Sequence, residues 1–185
     1  MNLNDWFSIG MTPEKYINAM NHFQDETQHI YEQFQIPDDE AFLQALKDRS
    51  LRVIVLTEDW CGDAMLNVPV LLNIAEAANM PVSILQRDTN LDLMDQYLTN
   101  GKSRSIPIFI FIDEEGNEVA KWGPRADVIQ TFVNHSLSSL PPQDDADHDE
   151  KKKEMYLFLT KSYRDNPRYW KDVYDSIKQR LESSL

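Results

Sequence analysis

Leu51 to Thr57 (LRVIVLT) is a short, β-branched and nearly continuous apolar run that ends in the polar loop Glu58 to Gly62. A run this short and this apolar is a strand covered on both faces, which places it centrally in a mostly parallel sheet flanked by helices. Beyond the loop, Asp63 to Asn79 carries Met65, Leu66, Val70, Leu72, Ile74 and Ala78, which predicts a helix with a kink at Pro69. Strand, loop and helix therefore meet at Cys61. Pro81 stops that helix, Val82 to Gln86 supplies a second strand, and Leu91 to Leu98 a helix that stops at Asn100-Gly101. Pro107 to Ile112 reads as a third strand, and the turn Asp113 to Asn117 returns the chain into an antiparallel partner, Glu118 to Trp122. Pro124 then opens a helix bearing Val128, Ile129, Phe132 and Val133. The order is βαβ followed by ββα, an α/β domain over residues 51–140 with a central mixed sheet between helices.

The flanks read as helical extensions. In residues 1–50, Thr12-Pro13 is an N-cap with proline in the first turn, and Ile17, Met20, Phe23, Ile30 and Phe34 continue at helical spacing in one amphipathic helix ending before Pro37. A shorter helix follows Asp38 and presents Phe42, Leu43 and Leu46. Pro141-Pro142 and the acidic run Asp144 to Glu150 make residues 141–150 a solvated linker. Residues 151–185 are helical and divide at Asn166-Pro167, where asparagine caps and proline starts a helix whose face holds Trp170, Val173, Tyr174, Ile177 and Leu181. Such a face needs a surface to pack on. The aromatic residues of these extensions, Trp6, Phe7, Tyr156, Phe158, Tyr169 and Trp170, either cover the core domain or join two copies in a homodimer.

Charge narrows the partners. With 31 acidic against 18 basic residues the net charge is -13, which opposes attraction to nucleic acid or to an anionic membrane surface. There is no basic segment followed by an apolar run at the start and no stretch near the roughly 18 apolar residues of a membrane span, so a cytoplasmic location is expected. His22 and His29 lie two turns apart, roughly 10 Å along a helix, too far to share a metal, and read as solvated. His135 and His148 stand alone, and five glycines leave little room for a phosphate loop. No metal or cofactor is expected. One cysteine cannot form an internal disulfide, so Cys61 is either a buried filler or the reactive group.

A strand ending in Thr57-Glu58-Asp59-Trp60-Cys61-Gly62, a proline-bearing helix, and Ile106-Pro107 at the start of a later hairpin together resemble the thioredoxin superfamily over Leu51 to Leu140. Cys61-Gly62-Asp63-Ala64, with Asp88, Asn90, Leu91, Asp92 and Leu93 downstream, resembles a bacterial single-cysteine branch of it. The resemblance implies a thioredoxin-like fold in which Cys61 is the nucleophile, Trp60 shields the site, and a cis-Pro107 faces the sulfur. Ile106 would pair its backbone with a bound peptide or thiol, and Trp60, Gly62, Asp63, Ala64 and Pro107 would complete the substrate-binding surface beside it. Two departures bear on activity. Ala64 stands where disulfide reductases of the family have their second cysteine, and Val55 where thioredoxins keep a buried acid. The implied activity is monothiol exchange with a disulfide-containing protein or a low-molecular-weight thiol. The alternative is a thioredoxin-fold binding module without redox work.

The local chemistry pulls two ways. A helix N-terminus stabilises a thiolate, whereas the carboxylates of Glu58, Asp59 and Asp63 oppose it, and no lysine or histidine is near in sequence. A thiol less acidic than in dithiol oxidoreductases is expected. Asp63 also complements the helix dipole, and Arg104 and Ser105 read as solvated residues in preference to contacts for an anionic thiol ligand.

Overall fold

The computed structural model describes residues 1–185. Four strands form one sheet in the order β2-β1-β3-β4, where β1 is Arg52–Thr57, β2 Val82–Gln86, β3 Ile108–Ile112 and β4 Glu118–Trp122. β1 runs parallel to β2, with Val53 opposite Val82, and antiparallel to β3, with Val55 opposite Phe109. β3 pairs antiparallel with β4, with a register shift between Phe111 and Ile112.

The two inner strands explain their own position. All five residues of β3 and the last five of β1 are buried, and because side chains alternate across a sheet they feed two separate cores. Val53, Val55, Phe109 and Phe111 enter the larger core, whereas Ile54, Leu56, Ile108, Ile110 and Ile112 enter a smaller one with Trp6, Leu93 and Met94. The larger core is built around α5 (Gly62–Ala77), which packs on α3 (Gln24–Gln33) and is buried without a break from Ala64 to Leu72. A helix apolar on all sides needs neighbours on all sides. The extensions supply them: α8 (His148–Asp165) and α9 (Pro167–Glu182) both pack on α5, and α7 (Asp127–Leu137) on both of these. Leu159, Tyr163, Trp170, Val173, Tyr174, Ile177 and Leu181 thus belong to the same core as the sheet. The smaller face is covered by α1 (Leu3–Ile9) and α6 (Leu91–Met94). Met11 exchanges both backbone hydrogen bonds with Ile84, at 2.8 and 2.9 Å, and so covers the free edge of β2.

Several elements differ from the sequence reading. The single helix expected from Thr12 to Pro37 is two, α2 (Pro13–Ala19) and α3, because Phe23 is left-handed (φ 53°) and the Asn21 and His22 N–H groups donate to the Asp59 carboxylate at 2.7 and 3.3 Å. A distant carboxylate replaces the helical acceptors there. The helix expected to reach Leu98 stops at Met94, and a 3-10 turn, Arg87–Thr89, precedes it. The helix expected to open at Pro124 begins at Asp127, and the Asn67 side-chain amide donates to the Pro124 carbonyl at 2.9 Å. α4 (Glu40–Asp48) follows Asp39, and α8 starts inside the acidic run. His29 is not fully solvated: its ring meets Trp170 edge-on at 6.0 Å. No helix is long and apolar enough to cross a membrane.

Candidate functional site

Cys61 is the N-cap residue of α5, with extended backbone angles (φ -85°, ψ 117°) that end the loop from β1 and aim its side chain across the helix start. The Sγ–H donates to the Ile106 carbonyl at 3.5 Å, and the Ile106–Pro107 peptide bond is cis. Ile106 and Pro107 are both buried, so the carbonyl nearest the sulfur is engaged by the thiol itself. Ala64 is sealed in the core one turn on. Burial pushes the Cys61 thiol up to about 11, and the Asp63 carboxylate adds to this. The amides of Ala64 and Asp63 and the Arg125 guanidinium pull the other way without overcoming it.

Asp63 is more than a charge at the helix start. It accepts from Arg125 Nε at 2.8 Å and pairs with Nη2 at 2.7 Å, and the Tyr163 hydroxyl donates to it at 3.2 Å. Arg125 comes from the loop between β4 and α7, so nothing in the spacing around Cys61 pointed to it. Glu58 and Asp59, the other two carboxylates of the loop, are occupied elsewhere. Glu58 accepts from the Asp88 N–H at 2.8 Å and is buried, which raises its pKa, and Asp59 holds the break between α2 and α3. Adjacency in sequence therefore overstated their effect on the sulfur.

Trp60 is 47% exposed, with the Arg87 guanidinium 5.0 Å from its ring centroid. Arg87 also bonds Asp88 at 2.7 Å and the Arg104 carbonyl at 2.9 Å, so the segment carrying Asp88 braces the cysteine loop. Arg104 turns outward to Asp95 at 2.7 Å. Trp60, Cys61, Gly62 and Asp63 line a cleft of about 530 Å³ whose far walls come from α7 and α8, including Val133, Tyr156 and Leu159. α8 lies so close that a Cβ on Gly62 would stand 2.8 Å from Thr160 Cγ2. Behind the site, Gly123 (φ 123°) approaches the Pro107 carbonyl so closely that a Cβ would overlap it. Gly123→Ala should therefore destabilise the protein by about 1–3 kcal/mol through backbone strain, read as a lower urea midpoint, and a wild-type midpoint would contradict this packing.

No group of three or more histidine, cysteine or acidic side chains is arranged to hold a metal ion.

Comparison with known proteins agrees with this architecture. A thioredoxin family model matches residues 10–146, and the chain belongs to the thioredoxin-like family. Two crystal structures are similar over their whole lengths. One is a protein of unknown function from Pseudomonas aeruginosa, at 17% identity and a TM-score of 0.71, covering 100% of this chain and 99% of that one. The other is an HIV epitope-scaffold, at 18% identity and a TM-score of 0.69, with 100% of both chains covered. At these identities they speak for the fold alone. A comparison with curated proteins finds no match.

Proposed function

We propose that this protein is a monothiol exchange protein acting through Cys61. The Cys61 thiolate attacks one sulfur of a disulfide, the S–S bond breaks, and the other half leaves as a thiolate. An external low-molecular-weight thiolate then attacks the mixed disulfide and returns Cys61, since no second cysteine is present to do so. The observation that carries this reading is the placement of the one sulfur at a helix N-terminus, beside Pro107 and on the rim of a cleft. The substrate is a disulfide-containing protein or an oxidised low-molecular-weight thiol. Incubation with an oxidised low-molecular-weight thiol should add one adduct to the intact mass, and Cys61→Ser should abolish it. A native protein that gains no adduct even at alkaline pH would sink the proposal.

Two observations favour a second reading, a binding module without redox work. The thiol is pushed up to about 11, and aromatic surface lies open in the cleft beside it at Trp60 and Tyr156. Under that reading a protein partner, or a second copy joined through the helical extensions, sits on this surface, and Cys61→Ser leaves its capture in a pull-down unchanged.

A further inference from the structure

The Asp63–Arg125 pair is built with more care than a tie between two surface elements requires. Arg125 meets both carboxylate oxygens in a fork, at 2.8 and 2.7 Å, and its remaining nitrogen Nη1 donates to Gln130 Oε1 on α7 at 3.0 Å. Tyr163 on α8 adds its hydroxyl to Asp63 Oδ1. The two side chains are 26% and 14% exposed, so solvent and salt screen the pair only in part. Both line the cleft at whose rim Cys61 stands.

The titratable and charged groups that face Cys61 are few. They are Asp63 on α5, Arg125 on the loop after β4, Tyr163 on α8 and Tyr16 on α2. Both tyrosines are held neutral far above physiological pH by burial. The carboxylate and the guanidinium are therefore the charges that act on the sulfur.

We propose that Arg125 is a positioning residue of this site: by holding the Asp63 carboxylate in a fork that Gln130 and Tyr163 complete, it offsets part of that carboxylate's field at the Cys61 sulfur and limits how far the carboxylate suppresses the thiolate. The role rests on Cys61 being the reacting thiol. It gives three elements outside the cysteine loop, the β4–α7 loop, α7 and α8, a direct hand in its reactivity.

The test is the pH dependence of Cys61 alkylation by iodoacetamide, which is uncharged, in the full-length protein and its variants. Altered access changes the plateau rate, whereas altered ionisation moves the midpoint. Arg125→Met should move the midpoint to higher pH, and the rate below it should drop about tenfold for every pH unit the midpoint climbs. Asp63→Asn should move it downward, and the double variant should fall between Asp63→Asn and wild type. Arg125→Lys, which keeps the charge and loses the fork, should fall between wild type and Arg125→Met. A folded Arg125→Met protein with the wild-type midpoint would overturn the proposal, as would Asp63→Asn and Arg125→Met moving it the same way. If Arg125→Met does not fold, Asp63→Asn decides alone, and an unmoved midpoint in it overturns the proposal. A protein that takes no disulfide adduct yet shows these opposite movements loses the exchange function and keeps the role assigned to Arg125.

Discussion

Truncating Tyr174 to alanine should lower the stability of the whole chain by about 3–5 kcal/mol, the range for removing a large aromatic side chain from a packed core. Tyr174 is 1% exposed although it lies on the last helix. Its ring packs against Phe34 and Phe42, with centroids 6.1 Å away in both cases, and its hydroxyl meets Asp39 at 3.1 Å. Asp39 also pairs with Lys178 at 2.5 Å, so α9 is tied to the N-terminal extension as well as to α5. Against a total of about 5–15 kcal/mol for a domain, such a loss is a large fraction of what holds the fold. Urea unfolding followed by tryptophan fluorescence and by far-UV circular dichroism should show one coincident transition, displaced equally in both signals. A loss below about 1 kcal/mol, or separate unfolding of the last two helices, would mean that the C-terminal extension is an independent unit.

The second large effect concerns the thiol. Native Cys61 should alkylate about a hundredfold more slowly at neutral pH than the same residue in the urea-unfolded chain, because raising the thiol from 9.0 to about 11 lowers the thiolate fraction about tenfold for each pH unit. The native rate should climb with pH until about 11. Exchange through Cys61 should follow the same slope, so the mixed disulfide with an oxidised low-molecular-weight thiol forms faster in alkaline buffer. A consequence for stability has a definite sign. A thiol whose folded value is raised favours folding in its protonated form, and that contribution is complete below the unfolded value and lost as pH rises through the folded one. Stability should therefore fall by about 1.4 kcal/mol per pH unit between roughly pH 9 and 11, and Cys61→Ser should remove this part of the decline. Tyr16, raised from 10.0 to about 12 by burial, contributes a loss of the same sign at higher pH. A native alkylation midpoint at or below 9.0 would refute the account of a desolvated sulfur.

Much of the site was readable because it is local. The end of β1 at Thr57, the helix opening after Cys61, and the paired strands after Ile106-Pro107 all follow from short windows of apolar pattern and turn residues. The surroundings of the sulfur were not readable in the same way. Glu58, Asp59 and Asp63 look equivalent along the chain, yet only Asp63 stays beside the sulfur, since backbone N–H groups at Asp88 and Asn21 claim the other two. Arg125, the cation paired with Asp63, stands 62 residues beyond it.

What the chain alone determined is the sheet and the helix that carries Cys61. Alternation between two cores is enforced residue by residue along β1 and β3, and capping and proline positions act within a turn. The tertiary structure alone decided that the amphipathic stretch after Thr12 breaks at Phe23 and that the terminal helices join the central core. It also placed a guanidinium and a tyrosine hydroxyl beside the first turn of α5. Hydrophobic periodicity is a short-range property of a sequence, whereas the choice among distant hydrogen-bonding and charged partners is made when the elements close on one another and water is removed between them.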